Sequence, residues 1–447
     1  MIKLASLESL SRERTLLDAR NTRRAYLAMA IVADVLLIAI QLWLSLNFTG
    51  IQVSDAASYM DLAGYCADHN TWYPGTRDLI AHYIFGNGFV NIHAFFQHIY
   101  PTMTWVYVLN MLFTQVIVLC TADIATKLTG RLQTGCIAMT MVCLMGGIWG
   151  EVVVARTELC FTAFALLSIS FMLRGGWGFM LLSGLSFGMA NWVRPLLVIF
   201  VPAMLFYMLF RHVKLKKIAV FFAGLVLVIV LVGASSYQRI GKFIYQAQTM
   251  GINMLMGAND ESDGSYMTMF EEGQAGYIPN EQRKVMTFDE YDVEYKNRAI
   301  AWILENPLDF LLLVPAKLFY FLATDTYGGT SFFNNEIETD NLAYILELKD
   351  ILLGKGSRAL ALGDVIAIWS QVWYMVVFAL YVLNILSSIR RRYILDMGLL
   401  HIIFILACGV TVMTVGGARY HMPYLPVFAI GAAVQVDLWK VKNAKKN

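Results

Sequence analysis

The chain has 447 residues, of which 58% are hydrophobic and 15% are charged, and its mean hydropathy is +0.58. Soluble domains carry about 25% charged residues, so this composition excludes an ordinary soluble protein and predicts an integral membrane protein. The 34 basic and 32 acidic residues nearly cancel, and overall charge therefore gives no argument for nucleic acid as a partner.

The N-terminal 25 residues form a basic arm, after which the chain is apolar over 26–46. A run of about 20 apolar residues is long enough to cross a hydrocarbon core of roughly 30 Å. The arginines place the arm in the cytoplasm by the positive-inside rule, and its pattern predicts an amphipathic helix on the membrane surface. No cleavable signal peptide is visible, so we expect the first apolar run to remain as a membrane helix.

A long polar loop, 50–101, separates the first two apolar runs and is expected on the outer face. Long loops of this kind are more often working parts than tethers. Asp55 lies only a few residues after the first span. A carboxylate that turns from there toward a cleft is partly desolvated and can accept a proton from a hydroxyl nucleophile. Asp55 is the first candidate for a general base; the alternative is a helix cap or a solvated loop residue.

The remaining apolar runs alternate with basic loops on one side and polar segments on the other, which predicts ten crossings. The run 177–210 is interrupted at Arg194-Pro195 and indicates two short spans, because proline disfavours helix at the residue before it. The run 307–323 contains Pro315 and Lys317 in its middle. We expect a re-entrant, interfacial or broken helix there, since one more single crossing would put the basic loop around Arg390 outside.

The pattern divides the chain into five parts. These are a cytoplasmic arm (1–25), an N-terminal transmembrane module (26–234) with outer loop 50–101, an outer polar segment (235–306), a C-terminal transmembrane module (307–439) with outer loop 324–363, and a cytoplasmic tail (440–447).

Several charged and polar residues collect on the predicted outer face. Arg194, Lys317 and Arg419 lie at or near the outer membrane boundary and suit the phosphate of a lipid headgroup, with arginine offering two parallel hydrogen bonds; snorkelling is the alternative. Further candidates for contact with a sugar or acceptor are Glu158, Arg156, Tyr59 and His93.

Metal and nucleotide sites have no support in the sequence. His93 and His98 do not pair at helical spacing with a further ligand, and the GANDESDG stretch lacks the ligand order of a calcium loop. There is no P-loop, no GxGxxG followed by a helix, and no GxSxG. Five of six cysteines lie in apolar runs, so no disulfide framework is indicated. We expect no required cofactor, and a divalent cation stays open as an alternative without a sequence signal.

Six stretches together resemble one enzyme superfamily. They are SDAASYMDLA after the first span, ARTELCFTAF, GLSFGMANWVRPLL, GINMLMGANDESDGSY, ENPLDFLLLVPAKLFYFL and GGARYHMPYLPVFAIGAAV. In this order they resemble the GT-C membrane glycosyltransferases, and within them the branch of dolichyl-phosphate-mannose protein mannosyltransferases and bacterial lipid A aminoarabinose transferases. The resemblance implies an all-α polytopic fold with about 10–12 transmembrane helices and helices in the outer loops.

The resemblance also implies an activity. It implies an extracytoplasmic enzyme that passes a sugar from a polyprenyl-phosphate carrier to a lipid, glycan or protein hydroxyl, with Asp55 as general base and Lys317, Arg419 and Arg194 at the lipid phosphate. Ala56 follows Asp55 where the protein mannosyltransferases have a second acidic residue, which argues against a protein acceptor. Compact loops favour a bacterial inner membrane over the endoplasmic reticulum.

Three alternatives stay open: a transporter or flippase, a glycan polymerase or ligase, and a noncatalytic subunit of the same fold. A transporter or flippase of lipid-linked sugars would also show many spans and outer cations, but no pair of interrupted spans repeats in the two halves. A glycan polymerase or ligase would use a lipid-pyrophosphate donor instead.

Overall fold

The computed structural model describes residues 20–81, 84–326, 341–356, 358–391, 393 and 396–444. Most of the predicted amphipathic arm and much of the predicted outer loop 324–363 lie outside these described residues. The end of the tail and Arg392 of the basic loop lie outside them as well.

Helices make up all the regular structure in the described ranges apart from one isolated bridge between Ile84 and Gln248. The helices are α1 Arg20–Asn47, α2 Ser54–Asp68, α3 Asn87–Ile99, α4 Thr104–Thr129, α5 Leu132–Cys143, α6 Gly146–Gly150, α7 Thr157–Arg174, α8 Trp177–Val193, α9 Leu197–Phe210, α10 Leu215–Ile240, α11 Met250–Met256, α12 Asn280–Arg283, α13 Phe288–Glu305, α14 Pro307–Leu322, α15 Asn341–Leu352, α16 Leu362–Arg390, α17 Gly398–Met413 and α18 Leu425–Ala444.

Within the described residues, six helices are long and apolar enough to cross a membrane, or up to eight spans if each of two bent helix pairs is one. Helices of 26 residues, such as α4 and α10, extend about 39 Å, more than the hydrocarbon thickness of roughly 30 Å. Two shorter apolar helices, α9 and α17, lie where the sequence predicts further spans. The predicted all-α polytopic class is confirmed.

Proline positions explain two breaks between consecutive helices. The long apolar run ends its first helix at Val193 and begins the next at Leu197, with Arg194-Pro195 between them, as the sequence predicts. Pro307 is the first residue of α14, where its missing N–H costs nothing. There the chain turns by 109° between α13 and α14. Both breaks place polar residues at the ends of short helices.

Small residues allow close packing between α8 and α10. A Cβ atom on Gly184 would lie 2.0 Å from the Phe221 carbonyl oxygen, and one on Gly224 would lie 2.6 Å from that of Leu181. Membrane helices commonly associate through small residues, since apolar burial gives no driving force within lipid. The two glycines therefore fix α8, and with it the position of its C-terminal end.

The outer polar segment 235–306, which we call the second outer segment, has an apolar core of its own. Ile252, Leu255, Tyr291 and Tyr295 are buried together and pack on Val415, which follows α17. This small core seats the segment on the end of the helix bundle.

Candidate active site

Asp55 is the second residue of α2, the helix that follows the first membrane span. Gln52 holds the segment that leads into α2. Its amide nitrogen donates to the Val153 carbonyl over 2.8 Å, and its amide oxygen accepts from the Ala155 N–H over 3.0 Å. Ser54, which lies between Gln52 and Asp55 in the chain, has φ +52°. Such a value is uncommon for a residue other than glycine. Such strain persists only where surrounding contacts fix it, and it clusters at functional sites.

Asp55 belongs to a group of four charged residues, which we name the charge cluster: Asp55, Glu158, Arg194 and Arg419. Arg419 donates from Nη1 to Asp55 Oδ2 over 2.7 Å and from Nε to Glu158 Oε1 over 2.5 Å. Arg194 Nη1 lies 2.8 Å from the same Glu158 oxygen. One carboxylate thus holds two guanidiniums, and one of these also holds Asp55.

Burial varies across the charge cluster. The Glu158 side chain is fully buried, those of Arg194 and Arg419 are 19% and 18% exposed, and that of Asp55 is 36% exposed. Removing one partner of a buried pair leaves an uncompensated charge and typically costs about 3–5 kcal/mol. Glu158 is therefore held firmly within the charge cluster, whereas Asp55 is accessible from its surroundings.

A cavity of about 470 Å³ lies beside the cluster. Asp55, Arg194 and Arg419 form its charged wall. Many of its other lining residues come from the start of α9, from α17 and from the second outer segment; among these are Leu196, Leu197, Val198, Tyr245, Gln246, Asn253, Tyr266, Ala407, Val410, Thr411 and Thr414. The lining of the cavity combines charged and apolar side chains, a combination that suits an amphiphilic ligand.

Tyr59 lies one helical turn after Asp55 and also lines the cavity. Its ring packs edge-on against Phe85 and Phe89, with both centroid distances 5.3 Å. Burial, followed by the neighbouring Asp55 carboxylate, raises the pKa of the Tyr59 hydroxyl. The hydroxyl therefore stays protonated and can donate a hydrogen bond; its predicted contact with a sugar or acceptor stays a prediction.

Lys317 does not line this cavity, although the sequence groups it with the two arginines. It is fully buried, and its Nζ donates to the Val412 carbonyl over 2.9 Å and lies 4.5 Å from the Phe310 ring centroid. Val412 is in the last turn of α17, where carbonyls lack helical partners and cations are favoured. The structure thus gives Lys317 a role in capping α17.

Three further predicted contact residues also lie off the cavity. Arg156 is buried in the turn before α7, where its charge acts on the carboxylates of Glu151 and Glu158. His93 is fully buried on α3 with its ring 4.4 Å from that of Phe89, and burial lowers its pKa to about 4. Glu158 lies behind the lining residue Thr157. The structure does not bring these three side chains to a ligand in the cavity.

The turn that carries Arg419 is held by contacts of His421 whose partners the sequence did not reveal. His421 donates from Nδ1 to the Phe321 carbonyl over 2.7 Å, and its Nε2 lies 3.4 Å from Asp325 Oδ1. Ser370 donates to the Asp325 carbonyl over 2.6 Å. No local pattern signals these partners, because they lie far apart in the chain. Together they tie the turn to α14 and α16.

Other missed lining residues did carry a signal. Ile252, Asn253 and Met256 belong to GINMLMGANDESDGSY, one of the six stretches of the resemblance, and all three line the cavity. The chemical roles of these residues are not readable from their types, since none is charged.

The structure is similar to the oligosaccharyltransferase of Archaeoglobus fulgidus. The apo form of that protein gives a TM-score of 0.52 at 12% sequence identity, with 92% of this chain and 50% of the other covered. Its form tethered to an acceptor peptide containing the NVT sequon gives 0.45 (12% identity; 92% and 49% covered), and its complex with Zn and sulfate gives 0.47 (12%; 93% and 49%). No family model and no curated protein matches the sequence.

The fold is that of a GT-C membrane glycosyltransferase. The fold that the resemblance implies is therefore confirmed, and the activity of that superfamily stays a prediction. The chain spans about half the length of the oligosaccharyltransferase. The narrower resemblance to the mannosyltransferase and aminoarabinose transferase branch stays a prediction.

Proposed function

We propose that this chain is an integral-membrane glycosyltransferase that moves a sugar from a polyprenyl-phosphate carrier to an acceptor hydroxyl, with Asp55 as the general base. The observation that carries the proposal is the cavity, which is lined both by Asp55 and two arginines and by apolar residues of α9 and α17. A sugar phosphate on a long isoprenoid chain has the same division into a charged and an apolar part. The GT-C fold supports the same class of reaction.

The reaction assigns a separate task to each charged group. The acceptor oxygen forms a bond to C1 of the sugar while the bond from C1 to the phosphate oxygen breaks, and the phosphate leaves with the electron pair. Asp55 takes the proton of the acceptor hydroxyl. Arg194 and Arg419 stabilise the negative charge that grows on the phosphate, as arginines do through charge-assisted hydrogen bonds.

Arg419 connects these two tasks. Its Nη1 lies 2.7 Å from Asp55, and the same guanidinium edge is within reach of a phosphate in the cavity. A phosphate that shares this guanidinium weakens its ion pair with Asp55 and leaves the carboxylate able to accept a proton. Donor binding is therefore expected to precede activation of the acceptor.

The positive-inside rule supports an outer location for this chemistry. The charge cluster gathers the C-terminal end of α8 and the N-terminal end of α7, which are both outer ends in the topology derived from the sequence. The expected setting is the extracytoplasmic face of a bacterial inner membrane, with a lipid, glycan or protein as acceptor.

The test is transfer of radiolabelled sugar from a panel of polyprenyl-phosphate sugars by the purified chain in detergent. Asp55→Ala should lower the rate by about 10²- to 10⁴-fold, the usual contribution of a general base. Asp61→Ala is the matched control, because Asp61 is exposed on the same helix and does not line the cavity. It should leave the rate unchanged.

Three results would contradict this assignment in different ways. Normal turnover by Asp55→Ala removes Asp55 as the base. Binding of lipid-linked sugars without consumption of any donor favours a transporter or flippase. Transfer only from lipid-pyrophosphate donors favours a glycan polymerase or ligase.

A further inference from the structure

We propose that Glu158 is a positioning residue that sets Arg194 and Arg419 side by side on the cavity wall, so that the two guanidiniums hold the donor phosphate in the orientation needed for transfer. The inference rests on the proposed function, and it gives Glu158 a role other than the direct sugar contact predicted from the sequence.

The hydrogen bonds of Glu158 occupy both of its carboxylate oxygens. Oε1 accepts from Arg419 Nε over 2.5 Å and lies 2.8 Å from Arg194 Nη1. Oε2 accepts from the Thr157 hydroxyl over 3.3 Å. The side chain is fully buried and does not line the cavity. Glu158 therefore acts on a ligand only through the arginines that it holds.

The guanidiniums of Arg194 and Arg419 can lie close together because the Glu158 carboxylate is their shared partner. Like charges repel strongly in a partly desolvated site, and the shared Oε1 offsets the repulsion between Arg194 and Arg419. A guanidinium has five N–H donors. Glu158 and Asp55 take two of those of Arg419, which leaves donors for a phosphate on the same planar group.

The surroundings hold Glu158 and Arg194 in place. Glu158 is in the first turn of α7, and the Asn110 amide fixes the preceding turn by donating to the carbonyls of Glu151, Val152 and Val154 at 3.2, 3.1 and 2.9 Å. Arg194 lies 5.7 Å from the Tyr420 ring centroid. Support of this kind is what pre-organises a binding group.

Glu158→Gln is the informative variant, because it keeps the volume and one acceptor oxygen but removes the charge. We expect kcat to fall about 100-fold, the usual cost of a small misplacement of reacting groups. Both arginines remain, so affinity for undecaprenyl phosphate, measured against undecaprenol in the same detergent, should change by less than about threefold. Glu158→Asp keeps the charge and should recover part of the rate.

Asp437→Asn is the control for a purely structural effect. Asp437 is also a buried carboxylate in an ion pair with an arginine, Arg131, but it lies near the C-terminal end of α18, away from the cavity. It should lower the thermal stability as much as Glu158→Gln does, while kcat per molecule that binds undecaprenyl phosphate stays that of the wild type.

Two outcomes would overturn this inference without affecting the proposed function. One is a Glu158→Gln enzyme whose kcat is within about threefold of that of the wild type. The other is a parallel loss of rate and of bound undecaprenyl phosphate per chain, which would mark unfolding. A wild type that binds undecaprenyl phosphate no better than undecaprenol removes the proposed function instead, and this inference with it.

Discussion

Arg419 contacts two carboxylates of different exposure, since Asp55 is partly open to the cavity and Glu158 is fully buried. This difference in exposure suits the two carboxylates to different tasks. An exposed carboxylate can exchange its partner for a substrate, whereas a buried one cannot lose its partner without the cost of an unpaired charge. At the scale of single residues, this difference in burial supports the proposed division, with Asp55 as the general base and Glu158 as a positioning residue.

His93 is a second buried polar residue with a measurable consequence. Burial lowers its pKa to about 4, below the ordinary value of about 6.5. Below pH 6.5 or so the unfolded chain binds a proton that the folded chain does not, so the free energy of unfolding falls as the pH drops toward 4. The shift corresponds to about 3 kcal/mol, fully present above the ordinary pKa.

We therefore expect His93→Leu to reduce the acid sensitivity of the fold. The check is Tm in detergent between pH 4 and pH 8 for the wild type, His93→Leu and His98→Leu. His98 is exposed on the same helix, so its variant should follow the wild type. If the wild type and His93→Leu lose Tm equally on acidification, the buried histidine is not responsible.

Sequence reasoning found the residues of the charge cluster but not their arrangement. Asp55 is detectable because it closely follows a membrane span, and Arg194 because it precedes a proline. That Glu158 pairs with both Arg194 and Arg419 could not be deduced, since the three residues are far apart in the chain. Lys317 shows how a cation at the right depth can contact a helix end, and its predicted contact with a lipid phosphate stays a prediction.

At the scale of elements, the contact between α3 and α8 controls the position of Arg194. A Cβ atom on Gly88 would lie 2.7 Å from the carbonyl carbon of Trp192 and 2.8 Å from its oxygen. Trp192 is two residues before Arg194 in the chain. A displacement of α3 there is therefore passed directly to the charge cluster.

Gly88→Ala should lower both the stability and the transfer rate. We expect a loss of about 1–3 kcal/mol from overpacking. Gly178→Ala on α8 is the matched control, because a Cβ atom there meets nothing within 4 Å, and it should stabilise by about 0.5–1 kcal/mol. Thermal unfolding and transfer assays on both variants test this; equal stability of the two would show that the interface yields without strain.

The break at Arg194-Pro195 follows from the restriction that proline imposes on the residue before it, and it is where the sequence places it. The 109° turn before α14 is not predictable in the same way. Pro307 permits a helix to begin there, but the angle depends on how the second outer segment packs on Val415 and its neighbours. Tertiary packing of this kind leaves no local pattern.

At the scale of the whole molecule, the distribution of potential metal ligands leads to a prediction about divalent ions. No group of three or more His, Cys, Asp or Glu residues in the described ranges could hold a metal ion. The two carboxylates nearest the cavity are bridged by the Arg419 guanidinium. We expect transfer to persist in excess EDTA and to gain little from added Mg²⁺ or Mn²⁺. Activity that chelation abolishes and a divalent ion restores would contradict this.

The guanidinium between Asp55 and Glu158 also means that this site is built with its own positive charge. Every copy of the chain receives that charge at synthesis, in a one-to-one ratio, whatever the ion content of the surrounding medium. It cannot be exchanged for an ion of another size. A phosphate donor of the proposed kind would therefore meet a positive charge that is fixed by the chain itself.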